Sequence, residues 1–186
     1  MFEALFVSTG LVALAEIGDK TQLLSLVLAA RYRRPWPIVA GIFAATLLNH
    51  AAAGAIGAWV THAIGMAMMT KIVAVSFLAM AAWILVPDKL DEGDALAKAR
   101  GGVFWTTVVL FFIAEMGDKT QVATVMLAAR YDALAMVVLG TTLGMMLANA
   151  PVVFFGDAIA KRVPLGIIRK VTAAAFAVLG VAGLLA

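Results

Sequence analysis

The chain has 186 residues, of which 64% are hydrophobic and 13% are charged, and it contains no cysteine. Soluble domains are about half apolar and about a quarter charged, so this composition and a mean hydropathy of +1.03 exclude an ordinary soluble protein. The missing cysteines exclude a disulfide framework and a thiolate metal site. The formal net charge of +3 does not indicate a nucleic-acid partner, because 12 of the 14 Lys and Arg residues lie near the ends of apolar segments, as they do in membrane proteins.

Six apolar segments follow one another along the chain, and each is too long for a strand and lacks alternation of polar and apolar residues. They cover residues 4–30, 36–61, 66–86, 102–129, 133–160 and 165–185. Only a helix satisfies its own backbone in lipid over such lengths, so the sequence predicts an all-α integral membrane protein with six transmembrane helices. Such a chain has no room for a soluble catalytic domain. We therefore predict that it is not an enzyme and needs no cofactor.

The distribution of Lys and Arg predicts the orientation. Ten of these residues fall on one side of the predicted membrane and only two, Lys71 and Arg130, on the other. The basic side is normally cytoplasmic, which places both termini outside the cytoplasm. The first segment is read as a mature span and not as a signal peptide, because Met1-Phe2-Glu3 carries no Lys or Arg.

An internal repeat organises the chain. Shifting the sequence by 99 residues aligns residues 15–32 with residues 114–131, and 12 of these 18 positions are identical. We predict a first three-helix repeat at 1–87, a cytoplasmic linker at 88–101 and a second three-helix repeat at 102–186. Since each repeat has an odd number of spans and the linker is too short and polar to cross, the second repeat is inverted relative to the first. Secondary transporters use this plan and bind their substrate where the repeats meet, near the bilayer midplane.

Charged side chains lie in the middle of the first and fourth segments, in the matched sequences Glu-x-Gly-Asp-Lys-Thr-Gln. Each ionisable group at that depth costs roughly 2.5–3.5 kcal/mol, so these groups are expected to face one another or water. On a continuous helix, Glu and Asp at i and i+3 share a face, with Lys at i+4 from Glu beside them. Gly18 and Gly117 lie between them, where a missing side chain allows close helix approach or local unwinding.

These residue types favour a site for a hard cation. Carboxylate and amide oxygens suit Mg²⁺, Ca²⁺ and Mn²⁺, and four carboxylates with two ammonium groups carry a net charge of −2, which one divalent cation or two protons would neutralise. The candidate metal ligands are Glu16, Asp19, Glu115 and Asp118, and the candidate supporting residues are Thr21, Gln22, Thr120, Gln121, Lys20 and Lys119. Asn49, His50 and Asn149 are possible additional polar lining, although hydrogen bonding between helices explains them at least as well. The acidic and basic pairs also have a purely structural interpretation, which the duplication makes less attractive.

The duplicated motifs, Glu16 to Thr21 and Glu115 to Thr120, resemble the Glu-x-Gly-Asp-[Lys/Arg]-[Thr/Ser] signature of a family of divalent-cation/proton exchangers. That family includes MneA-type bacterial manganese exporters and manganese/calcium transporters of the Golgi and chloroplast. The resemblance covers essentially the whole chain. It implies that the four acidic residues bind metal and accept protons, that the role is export of Mn²⁺ in exchange for protons, with Ca²⁺ second, and that the protein lies in a bacterial inner membrane.

Two other functions remain open from the sequence. One is export of a small organic solute, such as an amino acid, by the same architecture. The other is a non-transport membrane scaffold, which leaves the twin acidic motifs unexplained. In the favoured interpretation the partners are a divalent metal cation, protons and the lipid bilayer, and a homodimer is compatible with the sequence but not indicated by it.

Overall fold

A computed structural model of the chain describes residues 2–86, 102–156 and 165–185, and every regular element within these ranges is a helix. The prediction of an all-helical fold is therefore confirmed. The predicted linker at 88–101 and residues 157–160 of the fifth predicted segment lie outside the described residues. The helices are α1 (Phe2–Glu16), α2 (Lys20–Tyr32), α3 (Pro35–Ile64), α4 (Met66–Ile84), α5 (Val103–Glu115), α6 (Lys119–Arg130), α7 (Leu134–Phe155) and α8 (Leu165–Leu185).

Several of these helices have the length and composition of membrane spans. Three are long and apolar enough to cross a bilayer, at Pro35–Ile64, Leu134–Phe155 and Gly166–Leu185, and shorter apolar helices occupy Met68–Ile84 and Val103–Glu115. Large apolar side chains such as Trp59 and Leu147 are exposed on the outer surface. Such a surface suits lipid and not water.

The first and fourth predicted segments are each broken into two helices at the acidic motif. Gly18 and Gly117 have φ values of 83° and 74°, which glycine adopts at little cost, and the following aspartates are the extended N-cap residues of α2 and α6. The expectation that Glu and Asp of one motif share a helix face at i and i+3 is therefore wrong, because the helix ends between them. The other expectation for these glycines, local unwinding, is what the structure has.

Helices from the two halves of the chain pack directly against each other. Helix α1 lies against α7, and α5 lies against α3, so the first helix of each half packs on a helix of the other half. Glycines permit this close approach. A Cβ atom at Gly140 would lie 2.6 Å from the Leu5 carbonyl oxygen, and one at Gly41, the position 99 residues earlier, would lie 2.9 Å from the Phe104 carbonyl oxygen.

Helices α4 and α8 pair with each other and lie to one side of this core. Phe77 of α4 and Phe176 of α8, which are 99 residues apart, meet edge to face with ring centroids 5.7 Å apart. The pair packs on α1 and α6 in a hydrophobic cluster that we call the larger core. The smaller core, between α2, α5 and neighbouring parts of α1, α3 and α7, contains no residue of α4 or α8 among the described residues. One side of the molecule is thus covered by α4 and α8, and the other is not.

Candidate metal site

The four motif carboxylates are buried at the two helix breaks. Glu16 and Glu115 are the last residues of α1 and α5 and are fully buried, and Asp19 and Asp118, the N-caps of α2 and α6, are each 3% exposed. Each break thus ends one helix on a glutamate and begins the next after an aspartate. The two acids of one motif approach the centre from consecutive helices and not from one helix face.

Acids from both halves come together there. Glu16, Asp19 and Asp118 each place one carboxylate oxygen within 4.8 Å of the others. Glu115 is not a member of this group of three, but it lies within electrostatic range of Glu16 and Asp118. The structure therefore brings together three of the four candidate ligands closely and places the fourth beside them.

The carboxylate of Glu16 is held by two neutral side chains. Its Oε2 accepts hydrogen bonds from Thr21 Oγ1 at the start of α2 and from Asn149 Nδ2 of α7, the latter at 3.4 Å. Asn149 is itself fixed by Ser25, whose hydroxyl donates to Asn149 Oδ1 at 2.8 Å. Asn149 thus contacts a candidate ligand directly, as its assignment to the polar lining anticipates.

Glu115 has the matching environment in the other half. Its Oε2 accepts a hydrogen bond from Thr120 Oγ1 at 3.1 Å and lies 3.9 Å from His50 Nε2 of α3. His50 and Asn149 are 99 residues apart, so the same position of each half faces the glutamate of the opposite half. One is an imidazole and the other an amide, which makes the two glutamate environments chemically different.

The motif glutamines stabilise the breaks. Gln22 Oε1 and Gln121 Oε1 accept hydrogen bonds from the backbone N–H groups of Gly18 and Gly117, at 2.9 and 2.7 Å. Both then reach the other half, because Gln22 Nε2 donates to the Ala148 carbonyl oxygen and Gln121 Nε2 donates to Asn49 Oδ1. In this structure Gln22, Gln121 and Asn49 serve as braces between helices, which is the structural interpretation that the sequence left open for Asn49.

The two motif lysines differ from each other. Lys20 Nζ lies 3.1 Å from Asp118 Oδ1 of the other half. Lys119 Nζ donates to the Val86 carbonyl oxygen at 2.9 Å and lies 5.9 Å from the centre of the Trp83 ring. The expectation that each lysine shares a helix face with the glutamate of its own motif is wrong, because each lysine belongs to the helix after the break.

Several of the buried carboxylate oxygens have no hydrogen-bond partner among the described residues. These are Glu16 Oε1, Glu115 Oε1 and Asp118 Oδ2. A buried carboxylate oxygen without a partner is costly, and a structure that gathers several of them needs an explanation. Hard divalent cations bind such oxygens directly, so the donor set fits Mn²⁺ or Ca²⁺.

Two residues of this region were missed by sequence reasoning. Ser25 orients Asn149, and its counterpart at the 99-residue shift, Thr124, also carries a hydroxyl, so the repeat held a signal for it. Val86 contributes only its backbone carbonyl, and no side-chain pattern indicates such a role.

The sequence was compared with protein families and with individual proteins. A model of the divalent cation/proton antiporter family GDT1 matches residues 4–92 and 103–186. The chain belongs to this family. A Vibrio cholerae protein named "Putative manganese exporter" is 52% identical over 98% of this chain and 90% of its own length.

More distant members match as well. A GDT1-like protein of Synechocystis is 31% identical over 82% of both chains, and GDT1-like protein 4 of Oryza sativa is 24% identical over 92% of this chain and 69% of its own length. No solved structure matches the chain. The resemblance found in the twin motifs is confirmed, and with it the assignment to membrane-embedded cation/proton antiporters.

Proposed function

We propose that this member of the GDT1 family exports Mn²⁺ from the cytoplasm in exchange for protons, by alternating access to one site between its halves. The observation that carries the proposal is the convergence of Glu16, Asp19 and Asp118 within 4.8 Å, with Glu115 beside them. The manganese assignment follows the name of the Vibrio cholerae relative and the all-oxygen donor set.

Six membrane spans in two inverted repeats give this site its access. The broken pairs α1–α2 and α5–α6 form the first and fourth spans, and α3, α4, α7 and α8 form the others. The excess of Lys and Arg on one side places both termini outside the cytoplasm of a bacterial inner membrane. With that topology α1 and α6 are the extracytoplasmic halves of the broken spans, and α2 and α5 are the cytoplasmic halves.

Exchange follows because metal ions and protons compete for the same carboxylate oxygens. A divalent cation binds the ionised carboxylates of Glu16, Asp19, Glu115 and Asp118, and protonation removes the charge that holds it. Protons that enter from outside therefore release the ion outward, and loss of those protons to the cytoplasm restores the empty ligands. Thr21 and Thr120 hold one oxygen of each glutamate, which leaves the other oxygen to bind the ion or a proton.

The test is metal-driven proton movement in proteoliposomes that contain the purified chain. We expect Mn²⁺ to drive proton movement across the membrane in the parent and not in Glu16→Gln or Glu115→Gln, since an amide cannot exchange a proton for a metal ion. Glu3→Gln is the matched control, because Glu3 is an exposed glutamate at the N-terminus. Equal exchange in the parent and both site variants would remove the ligand assignment.

The same vesicles separate the alternatives. Proton movement driven by Ca²⁺ and not by Mn²⁺, at two different pH gradients, would make the chain a calcium exchanger. Export of an amino acid without any response to metal would mean that the transported substrate is an organic solute and not a metal ion. Absence of any flux in vesicles that contain folded protein would support a scaffold and overturn the proposal.

A further inference from the structure

Two lysines with the same sequence context have different surroundings in the structure. Lys20 and Lys119 occupy the same position of the repeated motif, and each is the first residue of the helix after the break. The side chain of Lys119 is buried, at 4% exposure, whereas that of Lys20 is 27% exposed. Because the local sequences match, packing from elsewhere in the molecule must cause the difference.

The packing that differs is that of α4 and α8. These helices cover the break between α1 and α2 on the side where Lys119 lies. There Ile84 of α4 and Thr172 of α8 line one small cavity together with Lys119, Ile17 and Gly18. On the side of Lys20, neither α4 nor α8 covers the equivalent surface in the described part of the chain. Met116, the counterpart of Ile17, is 61% exposed.

The two hydrophobic clusters give the same result over a larger area. Leu11, Leu127 and Val137 of the larger core correspond, at a shift of 99, to Leu110, Leu28 and Ile38 of the smaller core. The helices α4 and α8 contribute only to the larger core. Among the described residues, Leu28, Ile38 and Leu110 are buried without any contribution from α4 or α8, and the uncovered surface beside the smaller core is formed by other residues of α5 and the break, such as Ile113, which is 63% exposed.

Lys119 helps to hold the α4–α8 pair in its present position. Its ammonium group donates to the Val86 carbonyl oxygen just beyond the end of α4, and it lies over Trp83 in the last turn of that helix. The carbonyl groups at a helix C-terminus carry partial negative charge and are stabilised by a cation. Lys20, on the open side, has Asp118 as its partner instead.

We propose that Lys20 and Lys119 are positioning residues, and that each holds the α4–α8 pair in one of the two states of the transporter. In the state seen here Lys119 holds α4 over the closed side, while Lys20 is the counter-ion of Asp118. In the opposite state α4 and α8 move to the smaller core, Lys119 releases Val86, and Lys20 binds the backbone end of α8 near Leu185, the counterpart of Val86. This inference rests on the topology of the proposed function, by which the present structure is closed to the outside and open to the cytoplasm.

The natural lack of cysteine allows a direct test. Single cysteines at Met116 and Ile17, which are equivalent positions on the open and closed sides, report which side is accessible to a membrane-impermeant thiol reagent in oriented vesicles. In the parent we expect Met116→Cys to react from the cytoplasmic side faster than Ile17→Cys reacts from the outside. Lys119→Met should lower the first rate and raise the second, changing their ratio by at least about tenfold, the usual scale for a hydrogen bond to a charged group.

Controls separate the switch from a loss of folding. Lys119→Arg, which keeps a cationic donor, should retain most of the parental ratio, and Lys71→Met, at an exposed lysine of α4, should retain all of it. All variants are first checked for a single symmetric peak in size-exclusion chromatography.

Two results would overturn the inference. They are an unchanged ratio in folded Lys119→Met and faster reaction of Ile17→Cys in the parent. Because labelling requires neither metal nor flux, its outcome is independent of the proteoliposome assay. Loss of Mn²⁺ exchange with a preserved lysine effect would refute the transported ion and not the switch.

Discussion

Removal of Lys20 should destabilise the protein through the aspartate that it leaves behind. Asp118 is 3% exposed, Lys20 Nζ lies 3.1 Å from its Oδ1, and its Oδ2 has no hydrogen-bond partner among the described residues. Removing one member of a buried ion pair costs about 3–5 kcal/mol, because the other charge stays buried without compensation. Since Lys20 is itself 27% exposed, we expect Lys20→Met to lie near the lower end, at about 3 kcal/mol.

Substitution of the aspartate should lower the free energy of unfolding less than substitution of the lysine. In Asp118→Asn the lysine keeps its charge but can extend its flexible stem toward the open side, so we expect a loss of about 1 kcal/mol. The double variant Lys20→Met/Asp118→Asn has neither charge. It should be about as stable as Asp118→Asn alone, which gives a coupling free energy of about 3 kcal/mol between the two side chains.

The assay is reversible unfolding in mixed micelles for the parent, both single variants and the double variant. Lys71→Met controls for the loss of a lysine in general and should change the free energy of unfolding by less than about 0.5 kcal/mol. Additive losses in the double variant, or a Lys20→Met protein as stable as the parent, would refute the assignment of Lys20 as the counter-ion of Asp118.

Three further measurements test the packing and the site. Gly140→Ala should destabilise the protein by about 1–3 kcal/mol, because the added Cβ would meet the backbone of α1. Gly10→Ala, whose Cβ would have nothing within 4 Å, should be neutral or slightly stabilising. Equal effects of the two substitutions in unfolding assays would contradict the close helix contact. Asn149→Ala removes a hydrogen-bond donor from Glu16 and should weaken Mn²⁺-driven exchange in vesicles more than Asn49→Ala does. The Asn49 side chain contacts no motif carboxylate in the contacts described above. The reverse order would contradict the geometry. Mn²⁺ at 100 times its dissociation constant should stabilise the parent by about 2.7 kcal/mol in the same unfolding assay and should stabilise Glu16→Gln much less, and equal stabilisation would place the metal elsewhere.

The repeat made much of this arrangement predictable. Because His50 aligns with Asn149 at a shift of 99 residues, a contact of one of these residues with the opposite half is expected to have a counterpart for the other. The structure follows this rule, with His50 near Glu115 and Asn149 on Glu16. The broken helices were also within reach, since a glycine among mid-span charges favours unwinding, but periodicity alone predicted a continuous helix and misplaced the lysines.

The difference between the halves was not predictable from the motif. Lys20 and Lys119 have the same neighbours in sequence, so every local property predicts the same environment for both. Their different partners arise from the position of α4 and α8, which is a property of one state of the whole molecule. In the proposed mechanism the repeat provides two positions for this helix pair, and the motif does not specify which of them a single structure shows.

Electrostatics also explains why the proposed exchange is coupled. Four carboxylates and two ammonium groups leave a charge of −2 at the site when it is empty and ionised, and burying each uncompensated charge within the membrane costs roughly 2.5–3.5 kcal/mol or more. In the proposed mechanism α4 and α8 move past this site from one core to the other, and the movement is opposed while that charge remains uncompensated. One divalent cation or two protons removes it. The α4–α8 pair is therefore expected to move readily only when the site is loaded. A substitution such as Glu115→Gln, which lowers the charge of the empty site, should allow this movement without exchange in the thiol-labelling assay even where it abolishes transport.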